Sequence, residues 1–223
     1  RFLDSTRYAL WGGIISSGAS VDWINGIVGS GAAPGATTSE DDRDQVLNET
    51  TNVAPGGTGL LFVPHLRGSG APDWNPKMRG AFLGLRSTTT TTDMFKAVME
   101  GLSFQARMIV EMHQQLSGES IEAVCVVGGS ANNRVWQQIK ADVLQLPVEI
   151  SGVSEASALG AAMLAGIGVG IFRDMVDASR KVATGNTVLY PNGDNKGVYD
   201  GLFQVYADAC KATVGISEQL HDF

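Results

Sequence analysis

The sequence predicts a layered α/β fold, a mixed sheet flanked by helices, and three features carry that prediction. From Ile121 onward, short apolar runs (Ile121–Val127, Val148–Ile150) alternate with helical patterns, the order that lays helices across a sheet. Asp93–Leu116 repeats Met94, Ala97, Val98, Gly101, Leu102, Gln105, Met108, Ile109 and Met112 at helical spacing, so one face of a long helix is fit for burial. The 223 residues, 43% hydrophobic and 17% charged, are an ordinary globular mixture long enough to enclose a core.

Taken in order, Ser16–Gly29 reads as a helix with Val21, Ile24, Ile27 and Val28 on one side and Trp23 near it. Gly31–Thr38 is a Gly/Ala/Thr connector and Asp41–Thr50 a short polar helix. Pro55-Gly56-Gly57 turns the chain into an apolar strand, Leu60–Val63, which stops at Pro64. Gly68–Arg79 is a Gly/Pro/Asn-rich loop before a second short strand, Ala81–Leu85. The threonine run Thr88–Thr92 marks a helix entry, with Thr91, Thr92 or Asp93 as its cap. Beyond the Ile121–Val127 strand and its Gly128-Gly129-Ser130 turn come a helix Asn133–Gln145, the strand Val148–Ile150 and an Ala-rich helix Ser154–Gly166. Helices Met175–Ala183 and Val198–Val214 complete the chain.

Net charge is −7, and no Lys/Arg run interrupts the acidity, which argues against a nucleic-acid groove or an anionic membrane surface. Two cysteines, Cys125 and Cys210, make no disulfide framework and fit a reducing cytoplasm. Cys125 lies within an apolar run and reads as a small buried hydrophobe. The uncharged stretch 156–172 is short for a membrane span and holds four glycines and five alanines, so it reads as a tightly packed buried helix. The start, Arg-Phe-Leu-Asp-Ser-Thr-Arg, has neither initiator Met nor signal-peptide layout and reads as a chain cut within a domain. The sequon Asn48-Glu49-Thr50 is short enough to arise by chance.

The piece most suggestive of chemistry is strand, Gly128-Gly129-Ser130-Ala131-Asn132-Asn133, helix. A strand ending in glycines turns sharply and leaves no side chain between backbone and ligand. The next helix aims its unpaired N–H groups and positive dipole end at the same place, which suits phosphate. Asn132 and Asn133 add amide groups able to read a purine edge. The plainer account is a tight turn with an Asn cap, and the turn alone does not decide between them. No Gly-Lys-Ser/Thr triplet occurs, and no third glycine completes a dinucleotide fingerprint, although Glu149 stands near the spacing of a ribose-binding acid. His65, His113 and His221 are scattered, and no Cys or carboxylate cluster has metal-ligand spacing. No acid stands out as a general base.

Several motifs now fall into a recognisable order. Gly80-Ala-Phe82-Leu-Gly84-Leu85, seven residues, then Asp93-Met94, two residues, Ala97-Val98-Met99-Glu100 resembles a signature of the FGGY carbohydrate kinases. Upstream, Pro64-His65-Leu66-Arg67-Gly68-Ser69-Gly70-Ala71-Pro72 and Arg79-Gly80 resemble the loop before that signature. Downstream, Gly128-Gly129-Ser130, Trp136, Gln138 and Ala141-Asp142-Val143-Leu144 resemble the family's adenine and phosphate loop with its helix. Pro147-Val148, Glu155 and Ala158-Leu159-Gly160-Ala161-Ala162 continue in register, so the likeness runs from about Tyr8 to about Ala183.

The resemblance implies an actin-like, ribonuclease-H-like ATPase fold whose two lobes close on Mg-ATP and a sugar or polyol. Residues 1–223 would be the C-terminal nucleotide-binding lobe, partnered by an N-terminal lobe of the same kinase that holds the sugar. The implied cofactors are ATP and Mg2+. Gly128, Gly129 and Ser130 would meet the phosphates, Asn132 or Asn133 the adenine, and the helix from Glu155 through Ala162 would wall the pocket. Many members carry a third glycine where this chain has Ser130. The catalytic Asp and a first phosphate turn would lie before Arg1, so this chain by itself is expected to hold no catalytic residue and no metal ligand. Gly70-Ala71-Pro72 with Trp74 resembles glycerol kinases, while Gly129 with Trp136 is closer to xylulokinases and gluconokinases. A cytoplasmic location and a homodimer are compatible with this reading. The competing functions are a non-catalytic nucleotide-binding protein of the same fold and a Rossmann oxidoreductase domain.

Overall fold

The computed structural model describes residues 9–28, 49–57, 59–153, 155–182 and 185–223, without the side chains of Val28 and Ser130. The connector and polar helix expected over 31–50 lie almost wholly outside these residues, as does Asn48 of the sequon.

Helix α1 is Ser17–Val28, and strands β1 (Leu61–Val63) and β2 (Ala81–Leu83) pair antiparallel with Phe62 opposite Phe82. Trp23 of α1 stacks on both rings at 5.9 and 6.3 Å between centroids, a geometry aromatic groups favour. Helix α2, Thr91–Ser117, lies across β1 so closely that a Cβ on Gly101 would come within 2.1 Å of the Phe62 carbonyl oxygen. Only glycine tolerates that approach, and it brings the buried stretch from Phe95 to Gln105 onto the strand.

The cap of α2 is Thr90, one residue before the three expected. Its hydroxyl accepts from the Asp93 N–H at 3.2 Å, and the Asp93 carboxylate accepts from the Thr90 N–H at 2.8 Å. The reciprocal box requires an acid three residues after the cap, and Thr90 alone has Asp93 there. Gly118, at φ 74°, ends the helix in the left-handed region.

Strand β3 (Val124–Val126) runs parallel to β4 (Val148–Ile150), which pairs antiparallel with β5 (Thr187–Leu189). Helix α3 (Arg134–Leu144) covers one face of this sheet, where Val126, Ala131, Ala141 and Val148 pack together. Alternation along β3 turns Cys125 to the other face, and it is exposed, not buried as expected. Helix α4, Ala156–Gly168, also departs from expectation: only Met163 and Gly166 are buried, and Leu164 is 48% exposed. Its main packing partner among the described elements is α5 (Met175–Val182). At 13 residues it is no span, and no described helix is long and apolar enough to cross a membrane.

The last helix, α6 (Lys196–His221), runs well past Val214 because nothing between Gly215 and His221 breaks it. Tyr199, Phe203 and Tyr206 project from it onto Phe104 of α2. Strand β5 was unforeseen: three residues, Thr-Val-Leu, give no alternation to detect, and the edge exists only because β4 stands beside it.

Candidate functional site

The five residues Gly128, Gly129, Ser130, Asn132 and Asn133 form one continuous turn between β3 and α3. Gly128 has φ 84°, the left-handed region, and its carbonyl accepts from the Ala131 N–H at 3.0 Å to close a short 3₁₀ turn, Gly129–Asn132. Ala131 is the buried pin of the turn, 4% exposed against Val126 and Ala141. Below the turn, the Ser151 N–H donates to the Val126 carbonyl at 3.0 Å and ties the β3 end to β4.

The two glycines differ in kind. Gly128 is needed by the chain itself, since a side chain at φ 84° is strained. Gly129 has no such φ, and a Cβ built there meets nothing within 4 Å. Neither crowding nor backbone conformation demands glycine at 129, and the backbone there is open to approach. An 11-residue helix begins just beyond the turn, and open backbone before a helix N-terminus is an arrangement that suits phosphate groups.

The two asparagines part ways. Asn133 is the N-cap of α3, its Oδ1 accepting from the Trp136 N–H at 2.9 Å, while its Nδ2 lies 3.9 Å from the Met99 sulfur. Asn132 is exposed at the turn. The backbone of Ser130 lies in the turn, and its side chain is outside the described positions.

A cavity of about 430 Å³ opens beside α3, where Arg134, Val135, Gln138 and Asp142 line it together with Thr50 and Lys96. The helix expected to wall the nucleotide pocket, Glu155–Ala162, contributes no residue to this cavity. The polar pair of α2 next to this cavity, Lys96 and Glu100, was not foreseen from sequence. Glu100, 3% exposed, accepts from the Gly56 N–H and the Tyr199 hydroxyl, each at 3.0 Å, and burial raises its pKa. Lys96 donates to the Val53 carbonyl, and burial lowers its pKa against the attraction of Glu100. Lys96 and Glu100, opposite charges one turn apart, stand on the side of α2 away from the expected apolar face, where their spacing reads as a surface ion pair and gives no signal of burial.

The two acids nearest the turn in sequence have structural surroundings. Asp142 accepts from Gln138 Nε2 at 2.8 Å, the Asn192 N–H at 2.9 Å and Asn195 Nδ2 at 2.7 Å, clamping the segment before α6 onto α3. Glu155 is exposed at the start of α4 and makes no side-chain capping bond. Glu149 sits mid-strand between Cys125 and Val188, its carboxylate near Asn186. An antiparallel β5 beside it departs from the all-parallel order of a dinucleotide-binding sheet. Among the described residues, no group of His, Cys, Asp and Glu could hold a metal ion.

Comparison with known proteins agrees with this geometry. Residues 2–169 match the model of the FGGY family of carbohydrate kinases, C-terminal domain. A glycerol kinase of Saccharolobus islandicus is 35% identical over 172 residues, 77% of this chain and 32% of that protein. One from Pasteurella multocida is 34% identical over 187 residues, 84% of this chain and 35% of that protein. The chain thus spans about a third of the length of the curated relatives it matches. Among solved structures, a ligand-bound xylulose kinase from Lactobacillus acidophilus superposes with a TM-score of 0.79 at 22% identity, over 94% of this chain and 40% of that one. A Plasmodium falciparum glycerol kinase with ADP gives 0.68 at 23% identity, over 88% of this chain and 37% of that one. These superpositions show the actin-like ATPase lobe as the fold, and with the match over residues 2–169 they place the chain in the FGGY family of carbohydrate kinases, whose C-terminal domain it carries.

Proposed function

We propose that this chain is the nucleotide-binding half of an ATP-dependent kinase that transfers the γ-phosphate to a hydroxyl of a small sugar or polyol. The observation that carries the reading is the Gly128-Gly129 turn, open above Gly129 and seated on the N-terminus of α3. Gly128, Gly129 and Ser130 take the phosphates and Asn132 or Asn133 the adenine. Asn132 is the freer of the two, because the Asn133 carbonyl is engaged in capping. Mg2+ bound with the nucleotide would supply charge neutralisation during transfer. A second lobe of the same kinase supplies the sugar pocket and the base, in the cytoplasm. The acceptor is a small polyhydroxy compound, a xylulose-like ketose or a polyol such as glycerol.

Equilibrium titration of the chain with ADP and, separately, with NAD tests the nucleotide assignment. Saturable ADP binding without NAD binding is the expected result. NAD binding, or a folded chain that binds neither, overturns it. The chain given Mg-ATP and a panel of sugars and polyols is expected to show no phosphotransfer, because the base is assigned to the second lobe and Asp142 is committed to the α3–α6 clamp. Sugar-dependent ADP release by the purified chain would mean that a catalytic carboxylate lies within it.

A further inference from the structure

None of residues 128–133 lines the cavity beside α3, so the nucleotide turn has no part in its walls. The lining residues of α3 run from Arg134 to Asp142, about 12 Å down the helix at 1.5 Å per residue. Its volume of about 430 Å³ lies in the range of small-molecule pockets, roughly 300–1,000 Å³. Most of its polar groups are already engaged. Lys96 donates to the Val53 carbonyl, and the Tyr199 hydroxyl donates to Glu100 at 3.0 Å. Asp142 accepts from Gln138, Asn192 and Asn195. Three groups are left over. The Arg134 guanidinium is exposed and has neither ion pair nor hydrogen bond among the described residues. Gln138 and Asn195 turn their amide nitrogens to Asp142 and the Tyr190 carbonyl, so Gln138 Oε1 and Asn195 Oδ1 have no donor among the described residues. Val53, Pro55, Val135, Ile139 and Leu189 supply the apolar walls.

We propose that this cavity is a ligand site separate from the nucleotide turn, for a small organic monoanion with a flat apolar body and one N–H or O–H donor. Each part of the ligand answers a group that the fold leaves open. Arg134 is the first residue of α3, where a cation opposes the helix dipole, and an anion bound beside it offsets both positive ends. The donor bonds Gln138 Oε1 or Asn195 Oδ1, buried acceptors being favourable only when paired. The apolar body lies against Val135, Ile139 and Leu189, as most of a small ligand's surface does in such pockets. The charge is confined to the Arg134 end. Toward the other end stand the Asp142 carboxylate and the two side-chain carbonyls, which repel further negative charge. A single anionic group therefore fits where a polyphosphate does not.

Anilinonaphthalene sulfonate carries all three parts, a fused aromatic body, an anilino N–H and one sulfonate, and is the probe. Fluorescence titration of the 223-residue chain is expected to show saturable binding. Arg134→Gln, at an exposed position, weakens that binding at least tenfold with an unchanged circular dichroism spectrum. It leaves binding of the uncharged analogue phenylnaphthylamine as it was. Val135→Phe narrows the cavity and weakens both compounds. In excess ADP the sulfonate still reaches saturation. Absence of saturable binding overturns the proposal. Binding that Arg134→Gln or Val135→Phe leaves unchanged does so as well, since the probe then sits elsewhere on the surface. Displacement in proportion to added ADP also overturns it, because the cavity would then belong to the nucleotide. The proposal does not depend on the nucleotide reading: in a chain that binds no ADP, the probe titration and the two variants still decide it.

Discussion

Gly128→Ala and Gly129→Val act on adjacent residues of the turn and should fail in different ways. At Gly128 the backbone sits at φ 84°, and a methyl group there meets no neighbour, so the whole cost is backbone strain. A left-handed conformation costs an L-residue roughly 1–2 kcal/mol, and stability should fall by that amount. At Gly129 there is neither a positive φ nor a contact within 4 Å, so valine should cost the fold only its propensity in a short turn, about 0.5 kcal/mol or less. Its branched side chain fills the space through which phosphate must approach the backbone, and ADP affinity should drop at least tenfold, about 1.4 kcal/mol. Urea unfolding followed by circular dichroism measures the first quantity, and titration with a fluorescent ADP analogue the second. The reasoning requires Gly129→Val to separate the two readouts. A variant that binds ADP as the wild type does, while folded, removes the turn from the site. One that loses as much stability as Gly128→Ala shows that the space above Gly129 is not open.

Further outcomes follow from the surrounding structure. Trp136 is 3% exposed in the main core, with the Lys140 ammonium 4.8 Å from its ring, and Trp136→Ala should cost about 3–5 kcal/mol; lost ADP binding with an unchanged melting temperature would make it a stacking platform instead. Thr90→Ala removes one half of the capping box and should lower stability by about 1 kcal/mol in urea unfolding, whereas Thr91→Ala and Thr92→Ala should do less, because neither caps α2. Burial lowers the Lys140 pKa to about 8, so between about pH 8 and its unfolded value near 10.5 the unfolded chain binds more protons and stability should rise with pH. The gain is on the order of 1–3 kcal/mol, is complete above the unfolded value, and should vanish in Lys140→Met; a pH profile identical in the variant would assign the titration elsewhere.

The match between sequence and structure is closest where one segment settles its own conformation. The strand, glycine turn and helix from Val124 to Leu144 follow from local punctuation: glycines that permit a sharp turn, Asn133 that caps, and an apolar period that fixes which side of α3 meets the sheet. The burial of Trp136 was readable in the same way. Family membership was readable too, because the motifs occur in order at fixed spacing within the chain. Features that depend on what stands beside a segment were not readable. Cys125 lies in a run whose composition says buried, yet alternation on β3 turns it to a face that α3 does not cover. The Ala-rich helix is apolar all round, and composition cannot say that little besides α5 packs on it and most of it stays exposed. Strand β5 is too short to show a period and is held by the edge of β4. Lys96 and Glu100 look like surface residues by type, and only the approach of Val53, Gly56 and Tyr199 gives them partners that permit burial. Sequence period fixes the direction each side chain takes from its own backbone, and this much the chain carries locally. Whether that direction meets water, a sheet or another helix depends on residues far away in sequence, and this the tertiary structure alone decided.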